Sequence, residues 1–328
     1  MALPRNAAWF AACFIAQLYG LYSPFHARAQ QVSIEPRLHE RASSPAPTAN
    51  LRVDASMVLV PAYVNTPLGA AVTELGKESF RVFEDDVEQH LSYFAREDAP
   101  VSIGLLFDSS GSMHNKMQKS SEAAASFFKT ANIQDEIFLV EFDERPRLSM
   151  GFTPDFGEIY KRIAHTRPFG RTSLLDAIHM ALQEMKNARN SRKALVILSD
   201  GGDNRSRHTF RQIKDLVLES DVQVYSMGIF DTADVRKKTP EEEGGPHLLE
   251  ELARESGGRH FPVDDLEDLP TISTQIGNEL RDQYLLGYFP TNAARDGKYH
   301  HIKLKLAAGA ELPSLRVHYR QGYYAPSQ

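Results

Sequence analysis

From 101 to 280 the chain alternates without interruption between short apolar runs and stretches of helical period. The runs are 101–107 (VSIGLLF), 136–142 (EIFLVEF), 194–198 (ALVIL), 223–229 (QVYSMGI) and a short 259–262. Between and after them, 115–130, 155–165, 173–186, 209–218, 247–255 and 266–280 read as helices. Strands that are apolar almost throughout must be covered on both faces, and a strict strand–helix alternation supplies that cover. The predicted class is therefore α/β: a doubly wound, mostly parallel sheet with helices on both faces. Residues 147–150 read as an extra edge strand. The run Ala123-Ala124-Ala125-Ser126-Phe127-Phe128 predicts a tightly packed helix.

Outside this region the pattern changes to β. Residues 53–65, the stretch around Phe80, Val82 and Phe83, and 89–95 are strand-like. So are 283–289, 299–306 and 315–319. Neither flank has enough residues to bury a core alone. Pairing the two flanks into one smaller β-sandwich solves both shortages, with the α/β unit inserted between them. The expected divisions are 51–97 for the first strands, 98–281 for the α/β unit and 282–328 for the returning strands. Residues 230–246 (FDTADVRKKTPEEEGGP) read as a loop, either solvated or shaping specificity beside the sheet edge.

The N-terminus carries the marks of an export signal. Arg5 precedes a mostly apolar 7–21, and Ala27-Arg28-Ala29 has the small-residue form of a cleavage site. The run is short and interrupted for a bilayer span, although an uncleaved anchor is the competing reading. A signal peptide over 1–29 predicts a periplasmic or extracellular protein. Residues 30–50, with three prolines and no apolar period, read as a flexible linker. Cleavage would remove Arg5 and Arg28 and take the formal charge from −6 to −8. It would also remove Cys13, the sole cysteine, whose neighbours lack the usual lipoprotein pattern. A mildly acidic chain argues against nucleic acid or an anionic membrane as partner. After Leu21 no stretch is long enough to cross a bilayer as a helix.

Three strand ends and turns carry the chemistry. The run 101–107 stops at Asp108, followed by Ser110, Gly111 and Ser112. Thr172 lies roughly 60 positions on, before a helix, and Asp200 follows a second apolar run 28 positions later. In a doubly wound sheet the strands' carboxyl ends meet at a crevice where the strand order reverses, so these oxygens can converge. Carboxylate and hydroxyl ligands suit a hard divalent cation: Mg²⁺, with Mn²⁺ or Ca²⁺ also accepted. Gly111 permits the turn. The bland reading is that Asp and Ser after a strand are helix caps. Arg171 and Asp203 read as solvated, and Asp176 as a first-turn acid favoured by the helix dipole. Zinc-protease, phosphate-loop and serine-hydrolase motifs are absent. His300 and His301, adjacent in an alternating strand, point to opposite faces and cannot easily share a metal. His165, His179 and His260 have no partners nearby in sequence. Tyr284, Tyr288, Tyr323 and Tyr324 read as packing.

Asp108-x-Ser110-x-Ser112 with Thr172 and Asp200 resembles the metal-ion-dependent adhesion site of von Willebrand factor A domains. Phe80-Arg81-Val82-Phe83-Glu84-Asp85, Arg96-Glu97-Asp98-Ala99-Pro100, Gln283-Tyr284-Leu285-Leu286-Gly287-Tyr288 and Gly322-Tyr323-Tyr324-Ala325-Pro326 resemble the bacterial VWFA-related family described from Acidobacteria. The resemblance spans about 51–326. It implies that Ser110, Ser112 and Thr172 are hydroxyl ligands and Asp108 and Asp200 carboxylate ligands, at least one acting through water. It further implies adhesion or assembly by capture of a partner protein's Asp or Glu at bound Mg²⁺, without catalysis. Alternative readings are an envelope scaffold with a permanent structural metal, a switching sensor, or a Mg²⁺-dependent hydrolase with His114 as base. Partner identity and oligomeric state are not legible.

Overall fold

A computed structural model describes residues 57–96, 98–229, 240–292, 296–307 and 315–327. The predicted signal peptide, the 30–50 linker and residues 230–239 of the charged loop lie outside the described residues.

The described chain opens with β1 (Val58–Asn65), β2 (Phe80–Glu84), β3 (Val87–Gln89) and β4 (Leu91–Ala95). The α/β unit follows: β5 (Val101–Asp108), α1 (Met117–Phe128), β6 (Glu136–Phe142), β7 (Pro146–Thr153), α2 (Phe156–Ala164), α3 (Leu174–Glu184), β8 (Arg192–Ser199), α4 (Phe210–Glu219), β9 (Gln223–Ile229), α5 (Pro240–Ser256), β10 (His260–Val263) and α6 (Leu269–Arg281). Four strands close the chain: β11 (Tyr284–Tyr288), β12 (Tyr299–Leu306), β13 (Arg316–Tyr319) and β14 (Gly322–Tyr324).

The central sheet has the order β10-β9-β8-β5-β6-β7. All pairings are parallel except β6 with β7. Every residue of β5, β6 and β9 is buried, which explains their continuous apolar character. Side chains alternate between two cores. Ile103, Leu105 and Phe107 join Ala123, Ala124 and Phe127 of α1, Ile159 of α2 and Ile276 of α6. Leu106 points the other way, onto Leu174 and Ile178 of α3, Ile213 of α4 and Leu252 of α5. Helix starts follow their caps: Asp155 accepts the Glu158 N–H, and Thr209 forms a reciprocal capping box with Gln212.

The flanks interleave. One sheet has the order β13-β1-β11-β4, the other β14-β12-β2-β3, so each contains strands from both ends of the chain. Val60, Val82, Tyr284, Tyr288, Ile302 and Leu304 share one core between them. This is the predicted β-sandwich. The α/β unit leaves by β4 and returns by β11, which are antiparallel neighbours with Ala95 opposite Leu285. The junction is tied by charge. Arg281 pairs with Asp98 at 3.0 Å and with buried Asp135 at 2.5 Å. Arg192 donates to the Ala99 and Leu280 carbonyls.

Two expectations need correction. The single strand over 89–95 is two strands in different sheets, because the chain crosses between sheets at His90. The stretch from Pro240 to Pro246 is the start of α5 rather than loop. Beyond these, Gly322-Tyr323-Tyr324 adds a strand paired with β12.

Candidate metal centre

β5 and β8 are parallel neighbours with Phe107 opposite Leu198, so Asp108 and Ser199 finish side by side. The Ser199 hydroxyl donates to Asp108 Oδ2 at 2.5 Å, and the Ser110 N–H donates to Asp108 Oδ1 at 2.8 Å. Ser110 Oγ and Ser112 Oγ are 3.0 Å apart. The turn carrying Thr172 is stitched to this loop: the Gly111 N–H donates to the Gly170 carbonyl at 2.9 Å and the Phe169 N–H to the Ser109 carbonyl at 2.8 Å. On its other side, the Thr172 N–H donates to Asn204 Oδ1, and the Asn204 N–H to the Thr172 carbonyl, both at 3.1 Å. Backbone and side-chain bonds thus bring all three predicted loops together at the carboxyl edge of the sheet.

The loop after β8 is shaped by backbone proximity. Gly201 has φ +76°, and a Cβ on Gly245 of α5 would stand 2.4 Å from the Gly201 carbonyl carbon. Only two glycines can pass this closely. The Gly201 N–H also donates to Ser199 Oγ at 3.0 Å.

Asp108, Ser110, Thr172 and Asp200 are buried, and Ser112 is exposed. Burial, and then the neighbouring Asp200 charge, push the Asp108 carboxyl up to about 7. No hydrogen bond among the described residues engages the Thr172 hydroxyl. A buried carboxylate held against a second one, with hydroxyl oxygens around them, is a donor set that fits a hard divalent cation.

One neighbour is absent from the sequence reading. Lys116, itself buried, places Nζ 3.4 Å from Asp200 Oδ2 and donates to the Ile229 carbonyl at 3.1 Å. Part of the Asp200 charge is therefore balanced from within the chain. A lysine at the start of a helix ordinarily reads as solvated, which is why it was missed.

The remaining candidates sort plainly. Arg171 is exposed, as expected. Asp176 does more than complement a dipole: it accepts the backbone N–H groups of Arg207 and His208 and pairs with His208 Nδ1 at 2.7 Å. Asp203 does not face solvent. It accepts the Ser206 hydroxyl at 2.7 Å, and burial pushes its carboxyl up. His179 stacks on His208 at 4.1 Å, His260 Nδ1 meets Ser226 Oγ at 2.8 Å, and His165 Nδ1 lies 2.7 Å from the Lys161 carbonyl. No helix among the described residues is long and apolar enough to cross a membrane.

Comparison with known proteins bears on the same region. The family described as von Willebrand factor type A domain matches residues 103–202, which span β5 through the loop after β8. No curated protein matches the chain. Among solved structures, the conserved hypothetical protein BatB from Bacteroides thetaiotaomicron is 16% identical with a TM-score of 0.42, over 55% of this chain and 98% of that one. A von Willebrand factor type A protein from Catenulispora acidiphila is 14% identical with a TM-score of 0.49, over 76% of this chain and 63% of that one. Proximal thread matrix protein 1 from the mussel byssus, with a zinc-occupied MIDAS motif, is 17% identical with a TM-score of 0.46, over 59% and 48%. These likenesses are distant. The assignment rests on the family match, whose span carries Asp108, Ser110, Ser112, Thr172 and Asp200. The chain carries a von Willebrand factor type A domain.

Proposed function

We propose that this protein is an exported, metal-dependent protein-binding module that captures an acidic side chain of a partner protein. Asp108, Ser110, Ser112, Thr172 and Asp200 would hold the cation, for which Mg²⁺ is the first candidate and Mn²⁺ or Ca²⁺ the alternatives. The observation that carries this reading is the buried Asp108 carboxylate, set against Asp200 at a loop edge where Ser112 opens to solvent. When bound, the cation would offer a positive site to an outside carboxylate, because three of its five protein ligands are neutral hydroxyls. The chain's own contribution is positioning. Ser199 and the Ser110 N–H fix the Asp108 carboxylate, and Asn204 fixes the Thr172 turn.

A binding role without turnover is favoured by the surroundings of His114. It is exposed, and no hydrogen bond or ion pair among the described residues joins its ring to the site. The exposed Phe169 beside Gly170, at 70% exposure, offers an apolar contact for the flank of the captured residue. The location in the cell envelope and the adhesive or assembly role extend the reading from the export signal and the family resemblance.

The test is thermal unfolding of the protein in EDTA and then in Mg²⁺, beside Ser112→Ala and Thr172→Ala. Saturation at 100 times the dissociation constant adds about 2.7 kcal/mol, readily seen as a rise in Tm. A Mg²⁺-dependent rise that both variants lose is expected, followed by capture of a carboxylate-bearing partner only when Mg²⁺ is present. An unchanged Tm in metal-stripped protein would reduce the loops to turns and caps.

A further inference from the structure

The β-sandwich carries a second cluster of metal-ligating groups, away from the residues of the loop site. It sits at the hairpin between β2 and β3. Glu84 ends β2, and Asp85 and Asp86 make the turn with φ of +47° and +64°. β12 runs antiparallel to β2, with Ile302 opposite Glu84, which carries His300 past the end of β2 to the turn. His300 is buried and His301 exposed, so the two rings take opposite faces and His300 finds its partners on other elements.

Those partners surround both ring nitrogens. Nδ1 lies 2.7 Å from Asp85 Oδ2 and 3.8 Å from Glu84 Oε1. Nε2 faces Asp296 Oδ1 at 3.6 Å. The Glu84 side chain is 2% exposed. Its Oε2 accepts two phenol hydroxyls, from Tyr288 at 2.6 Å and Tyr323 at 3.0 Å. Its Oε1 receives no hydrogen bond among the described residues and is aimed at the His300 nitrogen, beyond hydrogen-bond reach. A side chain this buried, facing a second carboxylate and an imidazole, gains from a positive charge placed between them.

We propose that Glu84, Asp85 and His300 form a second divalent-cation site, suited to Zn²⁺. The three ligand atoms lie within 4.8 Å of one another. In four-coordinate zinc, bonds of about 2.0–2.1 Å place ligand atoms roughly 3.3 Å apart, between the 2.7 and 3.8 Å found here. Two carboxylates and a neutral imidazole balance the ion's charge. One imidazole nitrogen with two oxygens favours zinc over magnesium, which prefers oxygen alone. Asp85, about half exposed, opens the fourth position to water. Binding uses the Nδ1 lone pair, so any proton there is released to solvent, and Nε2–H is left facing Asp296. That carboxylate–histidine–metal relay is the arrangement that orients imidazole ligands elsewhere. The ion would staple the β2–β3 hairpin to β12 and, through Glu84 and Tyr323, to the last strand β14.

The test starts from the whole chain with Asp108→Ala, which removes a carboxylate of the loop site and makes the second site the one under measurement. The protein is loaded with Zn²⁺, desalted and assayed for zinc by mass spectrometry. One equivalent per chain is expected to remain, and Co²⁺ in its place should give a visible absorption band. Asp85→Asn in the same background is the decisive variant, because Asn tolerates positive φ and leaves the hairpin intact. It should lose the equivalent while keeping the Tm measured in EDTA. Glu84→Gln and His300→Gln should lose it too, and Asp296→Asn should weaken zinc binding about tenfold to a hundredfold. No retained zinc in Asp108→Ala overturns the assignment. So does a full equivalent retained by Asp85→Asn.

Discussion

Replacing Asp108 with Asn should make the metal-free protein more stable while abolishing Mg²⁺ binding. In the folded chain the Asp108 carboxyl is pushed from an ordinary value near 3.8 to about 7, by burial first and then by Asp200. At 1.36 kcal/mol per pH unit, that displacement corresponds to at most about 4 kcal/mol of destabilisation by the charged form. Because the folded state holds its proton more tightly than the unfolded state, stability falls as pH rises from about 4 to about 7 and stays low above that. Asn carries no charge and escapes this loss. It keeps the acceptor for the Ser110 N–H, but its amide must donate to Ser199, whose oxygen already accepts from Gly201. The Ser199 hydroxyl proton is then left without its carboxylate acceptor, at about 1–2 kcal/mol. The net gain is about 2 kcal/mol at pH 8 and becomes a loss of about 1 kcal/mol at pH 4. Urea unfolding of both proteins in EDTA at pH 4, 6 and 8 measures it. A variant less stable than the parent at pH 8, or an advantage that does not grow with pH, would refute the claim that Asp108 is held against uncompensated charge. In saturating Mg²⁺ the order should reverse, since only the parent can bind.

Lys116→Met should tighten Mg²⁺ binding several-fold by calorimetry, since the ammonium on Asp200 opposes the cation. The same change should cost the metal-free protein about 2 kcal/mol, because it leaves buried Asp200 unpaired. Gly245→Ala should destabilise by about 2 kcal/mol or more and weaken Mg²⁺ binding as well, because the new methyl group would displace the loop carrying Asp200. Tm and metal titration together check it; loss of stability with unchanged affinity would separate the two glycines from the site. Arg281→Ala should cost about 3 kcal/mol in urea unfolding by leaving the buried Asp135 carboxylate unpaired, with metal affinity unchanged.

Much of the architecture was legible because burial on both faces writes itself into β5, β6 and β9 as unbroken apolar runs. The metal loops were legible for a related reason: each ligand group stands directly at a strand end or helix start, where the apolar pattern stops. The crossing at His90 was not, because Gln89 and Leu91 are both buried with His90 exposed between them. Period-two alternation continues through a change of sheet and gives no sign of it. Gly322-Tyr323-Tyr324, only three residues long, is too short to show a strand period. Lys116 was overlooked and Asp203 misjudged for one reason. A charged residue's burial depends on elements distant in sequence, here the end of β9 for Lys116 and the start of α3 for Asp203. Glu84 and Asp85 lie more than 200 positions from His300 along the chain, and the antiparallel register of β2 with β12 joins them.

The two connections of the α/β unit to the sandwich have a mechanical consequence. Both emerge from the amino-terminal edge of the sheet, while the candidate metal loops lie at the opposite edge, and both run into neighbouring antiparallel strands, β4 and β11. A pull applied at the metal loops would therefore travel down the parallel strands and reach the sandwich at one end of a single strand pair. There it would peel β4 from β11 one hydrogen bond at a time rather than shear the pair. The bonds of Arg281 to Asp98 and Asp135, and of Arg192 to the carbonyls of Ala99 and Leu280, span that fork. They are the first to carry tension, and the force at which they part sets how hard the head can be pulled before its mount begins to open.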